Sequence, residues 1–446
     1  MISGLLQPRL ERLFGKAIAE KLVGPTFFAF AIKISSAALS YLMLVAFARM
    51  LGADDYGKFG VMLNLGIVLS TIIGFGLPTT ILRWWPEYLV KNEPAKAAGA
   101  MAHSLRLLCW ASLLLVVIGV IASLLGFGTD MFGFRYGAFA VALLAAATIF
   151  ADFLSGALRA TERTILAMAP RDIIWRIASP LVAFLAVRAT GQASAALAIA
   201  CAIAVLVVID VVQTLGLRKV VDATVHAVRP VSDWPAWRKT LLPIWGAAVL
   251  YALIQQLDVV VVSSMLGSAE AGAYFAAQKT ANLLGLAMIA GGLVGAPIMA
   301  AHFHANRIAE LQKFCRMIAI AIAATTLVGV VLEVALGRQL LGIFDPAFAA
   351  SYPVLMVLCL GYAIDSLSGP NAYMMQVVGL EAPYLRIMLI VYCIVLSLQL
   401  TLIPHFGAIA AAGANAFGTC LWNVAAIWLL RRKVGVDPSI LSLLKK

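Results

Sequence analysis

"ARMLGADDYGKFGV" occupies residues 48–61, between two long apolar stretches. Arg49, Asp54, Asp55 and Lys58 crowd into it together with Gly52, Gly57 and Gly60. A partial copy, "MLGSAEAGAY", returns at 265–274. Met-Leu-Gly repeats at an offset of 215, Asp55 faces Glu270, Gly57 faces Gly272 and Phe59 faces Tyr274. A second pair is sharper: "DFLSGA" begins at Asp152 and "DSLSGP" at Asp365, an offset of 213. Ala169-Pro170 meets Ala382-Pro383 at the same offset. Several matches at a nearly constant spacing indicate an internal duplication. The elbow is then the turn joining the first two helices of each half. Its glycines permit a tight turn and close helix packing, and its acids suit the positive end of the helix that follows.

The flanks of the elbow set the class. The chain is 63% hydrophobic and 12% charged, with a mean hydropathy of +0.98. A soluble domain carries about 25% charged residues. Apolar runs long enough to cross a bilayer as helices, about 20 residues each, recur along the whole length. About twelve such spans are expected. They are helical, because lipid offers no partner to a backbone N–H or C=O; the short alternating segments of a β-barrel are missing. The expected fold is an all-α polytopic membrane protein, two six-helix parallel repeats around a central cavity. Six helices per repeat preserve orientation, so the halves are related by an axis along the membrane normal. The expected organisation is a basic amphipathic segment over 1–24, an N-lobe over 25–217, a polar cytoplasmic linker over 218–240, a C-lobe over 241–430 and a basic tail over 431–446.

Charge gives the orientation. With the N-terminus inside, 26 of the 33 lysines and arginines fall in inner segments, six fall outside, and Lys33 lies within a span. The positive-inside rule thus places both termini in the cytoplasm. The net charge of +12 reports topology, and a nucleic-acid partner is not expected. The first 24 residues lack a signal-peptide apolar core. Leu6, Leu10, Leu13, Phe14 and Ile18 suggest instead an amphipathic helix on the inner surface, or else a frayed tail.

Ionisable groups at membrane depth are costly and face a bundle interior or a water-filled cavity. Lys33, Ser36 and Ser40 form one stripe of the first span. Lys33 either faces a cavity, where it suits a pyrophosphate, or snorkels to the interface. Tyr251, Gln255 and Asp258 form a stripe of the seventh span; Asp258 is a candidate for a coupling cation or proton, or a partner for Lys33 or Lys279. Asp152 and Asp365 are repeat mates in the fourth helix of each half, suited to bonding a neighbouring helix end or to ion coupling. Arg49 and Arg83 cap span ends. Gly76-Pro78, Gly295-Pro297 and Gly369-Pro370 are candidate bends, the last freeing backbone carbonyls in mid-membrane. Asp210 and Glu333 have no assigned role. The six cysteines read as packing residues. No Walker motif points to ATP.

Residues 48–61 also resemble the A-R-x-L-G-x-x-x-Y-G-x-F signature of the polysaccharide-biosynthesis flippases, in the multidrug/oligosaccharidyl-lipid/polysaccharide exporter superfamily. "RWWPEY" (83–88), "DVVVVSSMLGSAEAGAYFAA" (258–277) and "SLSGPNAYMMQVVG" (366–379) are similar to further family patterns, in the same order along nearly the whole chain. The resemblance implies two six-helix lobes around a cavity and an undecaprenyl-pyrophosphate-linked oligosaccharide as cargo, moved from the inner to the outer leaflet for O-antigen-type or exopolysaccharide synthesis. It implies a bacterial inner-membrane location, no catalytic activity, no cofactor beyond a coupling proton or sodium ion, and a polysaccharide polymerase and glycosyltransferases as neighbours in the pathway. The substrate-binding candidates are Lys33, Ser36, Ser40, Arg49, Arg83, Gln255 and Lys279. Asp258, Asp365 and Asp152 are the candidate coupling or cavity acids, and Pro78, Pro297, Gly369 and Pro370 the candidate hinges. The alternative is a cation-coupled multidrug exporter of the same fold. A membrane enzyme would need clustered acids or histidines in an interfacial loop, and Asp54-Asp55 is already explained by the elbow.

Overall fold

The computed structural model describes residues 25–225 and 228–443, without the side chains of 25–31, 33, 34, 222, 223, 293, 294, 441 and 443. The expected amphipathic segment 1–24 lies outside the described residues, as does the side chain of Lys33.

The first helix, α1 (Pro25–Ile73), is 49 residues long and holds the elbow inside it. Gly52 alone leaves helical geometry, at φ 72° and ψ 176°, a conformation that only glycine adopts cheaply. The turn expected there is therefore a one-residue kink between two helices. Its mate is built alike: α7 (Trp234–Leu266) and α8 (Ser268–Ala281) meet at Gly267, φ 92° and ψ 172°. Asp54 and Asp55 open the helix after Gly52, and Glu270 lies in the first turn of α8, where the helix dipole favours negative charge.

In chain order the first half continues with α2 (Leu77–Val90), α3 (Pro94–Leu124), α4 (Gly137–Ala160), α5 (Trp175–Thr190) and α6 (Ala195–Thr224). A helix over Thr164–Ala169 and a π turn over Pro170–Ile174 lead without interruption into α5. After α8, the second half has α9 (Leu286–His304), α10 (Ile308–Phe344), α11 (Tyr352–Ser368), α12 (Asn371–Val377), α13 (Glu381–Phe406) and α14 (Ala408–Val434). Among the described residues ten helices are long and apolar enough to cross a membrane, or 11 with the bent pair Ser268–Gly292 and Gly295–His304. That figure takes α1 as a single span from Ser35. Divided at Gly52, α1 supplies the first of the expected twelve and most of the second, which continues past a break into α2, and the tenth, expected over 350–376, is interrupted between α11 and α12.

Two of the three candidate bends coincide with breaks between helices. Phe75 and Gly76 adopt positive φ (48° and 72°) between α1 and α2, with Pro78 in the first turn of α2. Gly369, φ 77°, separates α11 from α12. Pro297 lies inside α9, just beyond a 40° bend. Two expected boundaries move. The linker is short, since α6 runs to Thr224 and α7 begins at Trp234. The basic tail does not trail away: α14 reaches Val434, and Val436 and Ser439 are fully buried.

Within the first half, α4 packs on α1, α2, α3 and α6; within the second, α14 packs on α11 and α13, and α10 on α9 and α11. The halves meet where α1 packs on α7, α8 and α10 and where α2 packs on α7. Aromatic side chains fill the elbow end, with Phe47, Tyr56, Phe59, Phe275, Phe344 and Phe348 buried together. Trp84, Trp85 and Trp237 do the same at the end carrying the basic loops. Leu114, Val208, Leu327 and Val424 stay more than half exposed. On a membrane protein such an apolar periphery faces lipid.

Candidate functional site

At the elbow end the halves close against each other through repeat mates. A Cβ on Gly57 would lie 1.7 Å from the Ser268 carbonyl oxygen and 3.0 Å from the Gly272 nitrogen. A Cβ on Gly272 would lie 2.7 Å from the Ala53 oxygen and 3.2 Å from the Gly57 Cα. The two elbows thus touch backbone to backbone. Polar contacts surround this point. Ser268 Oγ donates to Asp54, which Lys58 Nζ also holds at 2.6 Å. Arg49 donates from Nε to the Ile343 carbonyl and from Nη2 to the Gly342 carbonyl at 2.9 Å. Below them Tyr41 packs edge-on against Phe344, centroids 5.1 Å apart, and its hydroxyl meets Thr280 Oγ1 at 3.4 Å. Arg49 therefore ties α1 of the first half to α10 of the second.

Away from the elbow a cavity of about 280 Å³ opens, lined by α1, α2, α4, the π turn and Ala248 of α7. Thr71, Thr79, Ser155, Asp152, Arg159 and Arg171 supply polar wall. Arg171 ion-pairs with Asp152, so Asp152 does bond a neighbouring helix. Asp172, on the same wall, is held by Arg176 Nη1 at 3.1 Å and accepts from Ser36 Oγ at 3.3 Å. Arg176 also donates to the Asp172 backbone carbonyl at 2.7 Å. Arg159 bonds the Ser155 carbonyl of its own helix at 3.3 Å and forms no ion pair with a described residue. Arg159, Arg171 and Arg176 thus gather around Asp152 and Asp172, and Asp210 also lies close enough to Arg171 to act on its charge. Pro78 belongs to the wall as well, its carbonyl pressed onto Gly156, where a Cβ would be 2.3 Å away.

The second half has a different chemistry. Asp258, 3% exposed, accepts from Asn415 Nδ2 at 2.6 Å, Gln399 Nε2 at 3.0 Å and the Tyr274 hydroxyl at 3.4 Å. Glu333, 4% exposed, takes the Cys359 thiol at 2.7 Å. Asp365 accepts from Asn423 Nδ2 at 2.8 Å, and Asn423 Oδ1 accepts from Asn371 Nδ2 at 2.8 Å. None of the three acids forms an ion pair with a described residue. The pairing of Asp258 with Lys279 is not made: Lys279 Nζ lies over the Phe275 ring, 5.1 Å from its centroid.

The remaining candidates scatter. Ser40 and Gln255 are half-buried, and Tyr251, on the Gln255 stripe, is exposed. Arg83 is exposed on α2, 3.5 Å from Glu87. Lys91 holds Glu87 at 2.7 Å, and the two cations, Lys91 foremost, keep that carboxyl below its usual range. Of the substrate candidates whose side chains are described, only Ser36 reaches the charged wall. Sequence reasoning missed Arg159, Arg171, Asp172 and Arg176 because it counted the arginines of 159–176 as an inner loop. The helical rod from Thr164 to Thr190 carries Arg171 and Arg176 well inside a span-length segment. The i,i+4 spacing of Asp172 and Arg176, a helix-face ion pair, was the available signal.

This geometry meets an independent observation. The sequence profile described as polysaccharide biosynthesis protein matches residues 22–303. The chain belongs to that family. No curated protein sequence matches it. Among solved structures, the polysaccharide biosynthesis chain is similar to an inward-facing multidrug resistance MATE family transporter of the MOP superfamily, at 14% identity and TM-score 0.73 over 90% of this chain and 94% of that one. It is similar to the lipid II flippase MurJ in an inward closed conformation, at 12% identity and TM-score 0.68 over 91% and 87%. A MOP superfamily transporter from Pyrococcus furiosus aligns at 14% identity and TM-score 0.63 over 91% and 94%. The fold is thus that of MOP superfamily transporters and flippases, shared between exporters and a lipid flippase.

Proposed function

We propose that this protein is a flippase for undecaprenyl-pyrophosphate-linked oligosaccharide, carrying it from the inner to the outer leaflet by alternating access. The observation that carries the reading is the arginine-bearing wall at membrane depth, on the side away from the closed elbows. A pyrophosphate brings negative charge into a low-dielectric site, where arginine forks form charge-assisted bonds. Arg159 lines the cavity and forms no ion pair with a described residue, and Ser155, Thr71 and Thr79 offer hydroxyls to phosphate or sugar. The apolar tail stays in lipid between the halves. The family match supports this cargo, and the MurJ likeness supports the fold for it.

The elbows face outward in this reading and part as the cavity seals on the inner side. Outward movement of negative charge runs with the membrane potential, worth about 2.3 kcal/mol per charge per 100 mV. A proton or sodium ion returning through the second half, with Asp258 or Asp365 as its carboxyl, resets the cycle. The same acids favour one rival, a cation-coupled exporter of small cationic molecules. Leaflet-specific detection of the lipid-linked glycan in depleted cells separates the two. Accumulation on the cytoplasmic leaflet with loss of surface polysaccharide is the expected result. Unchanged glycan distribution with heightened sensitivity to cationic dyes sinks the flippase.

A further inference from the structure

The duplication has a second expression at the end of the bundle opposite the elbows. After α6 the chain crosses the start of α3. The Val231 N–H donates to the Ala95 carbonyl at 2.9 Å, and a Cβ on Gly99 would lie 1.9 Å from the Val231 oxygen. After α14 the chain does the same to α10, the helix that starts 214 residues beyond α3. Gln312 brackets the Asp437 backbone: its Nε2 donates to the Asp437 carbonyl at 2.7 Å, and its Oε1 accepts the Asp437 N–H at 2.7 Å. The Asp437 carboxylate takes Arg431, the Ser439 N–H at 3.1 Å and the Ser439 hydroxyl at 2.6 Å. Arg316 Nη2 donates to the Ser442 carbonyl at 2.9 Å. Val436, Asp437, Ser439 and Ser442 are all buried. Ordering a chain end costs about 1–2 kcal/mol per residue, so a tail with no role in the fold would not be fixed at so many points.

What this segment presses on gives it a role. The Pro438 carbonyl backs onto Gly369, where a Cβ would be 2.0 Å from its oxygen. Gly369 is the positive-φ residue that breaks the tenth span, and the chain Asn371–Asn423–Asp365 is hydrogen-bonded across that break. The N–H groups at the break are met locally, Gly369 donating to the Ser366 carbonyl at 3.2 Å and Asn371 to the Gly369 carbonyl at 2.7 Å, so the segment acts on the break by packing against Gly369. We infer that residues 436–442 form a positioning strap, the counterpart of residues 228–233, which fixes the broken tenth span against α10 and so holds Asp365 and Asn423 in register while the second half moves as one body.

Two variants of the full-length protein in nanodiscs test this. One ends after Gly435. The other joins Gln312→Cys to Asp437→Cys through a short bis-maleimide, in a background where the exposed Cys109 and Cys393 are serine. Without the strap, amide hydrogen exchange over 369–377 is expected to rise at least about tenfold, a local loss near 1.4 kcal/mol, while exchange over 50–60 stays unchanged. The pH profile of transport shifts in the shortened chain, and the cross-linked protein keeps the parental rate and profile. Unchanged exchange after truncation overturns the inference, and so does a cross-link that stops transport, since the strap would then have to release in each cycle. A shortened chain that fails to accumulate leaves the cross-linked protein to decide. The transport readouts rest on the flippase reading and on Asp365 as an acid of its cycle; the exchange readout does not, so the two can fail separately.

Discussion

Gly57→Ala is a single-methyl test of the closed elbow. The added Cβ would lie 1.7 Å from the Ser268 oxygen, 2.6 Å from its carbonyl carbon and 3.0 Å from the Gly272 nitrogen. All three are backbone atoms, so no rotamer change relieves the clash. An ordinary contact of about 3.4 Å requires the elbows to part by roughly 1.5 Å, which also stretches the Ser268–Asp54 bond. Overpacking of this kind costs typically about 1–3 kcal/mol, and a rigid backbone contact belongs at the upper end. Since only the closed state contains the contact, the cost acts on the conformational equilibrium. About 2–3 kcal/mol shifts the open-to-closed ratio roughly 30- to 150-fold toward open. Gly413→Ala, whose Cβ would meet nothing within 4 Å, is the control. Spin labels at positions 54 and 268 report the distance, and a membrane-impermeant thiol reagent at Ser268→Cys reports access. The expected result is a longer 54–268 distance, faster labelling and slowed transport, with thermal stability near that of the control. A well-folded Gly57→Ala protein with an unchanged distance distribution would refute the account of the elbow as the closing contact.

Other substitutions probe the charged groups. Arg159→Ala removes a cation that pairs with no described carboxylate, so folding should be spared. Loss of a charge-assisted bond, about 1.5–3 kcal/mol, predicts roughly 10- to 100-fold weaker binding of the lipid-linked cargo, measured against parental protein by equilibrium binding in nanodiscs. Asp152→Asn removes the ion-pair partner of Arg171; it should destabilise the fold more than Arg159→Ala does, and Asp152→Arg combined with Arg171→Asp should recover part of the loss in a thermal-unfolding assay. Asp258→Asn keeps shape but not charge. Transport in liposomes should lose its response to an imposed proton or sodium gradient, and a mutant that still responds removes Asp258 from coupling. Asn423→Ala strands Asp365 and Asn371 together and should cost about 1–3 kcal/mol of stability, whereas Asn415→Ala leaves Asp258 with Gln399 and Tyr274.

The difference between what the residue string revealed and what it hid has a physical cause. Composition, the elbow and its echo were legible because they are periodic or local: apolar length sets a span, and a glycine with acids after it sets a kink. The contact between Gly57 and Gly272 was half legible, since the offset paired them as mates but not as neighbours. Two residues related by an axis through the bundle touch only if they lie on that axis, and nothing along the chain reports distance from it. The arginine-bearing wall of the first half hid for a related reason. Arg171 and Arg176 count as loop cations by the positive-inside rule, yet the rod from Thr164 to Thr190 carries them inward through an unbroken π turn at Pro170. A proline that usually marks a helix start here sits within one. Asp258 shows the opposite limit. Its depth in an apolar run marked it as functional, but its partners Gln399 and Asn415 come from spans 141 and 157 residues away and look like unremarkable polar residues until the fold gathers them. Asp258 and Asp365 are served by neutral amides and Asp152 and Asp172 by arginines, so the two halves place unlike chemistries on these acids. The side chains at matching positions differ: Asp152 pairs with an arginine and Asp365 with an asparagine. That divergence is what a carrier needs if an anion is to be held in one half and a cation in the other.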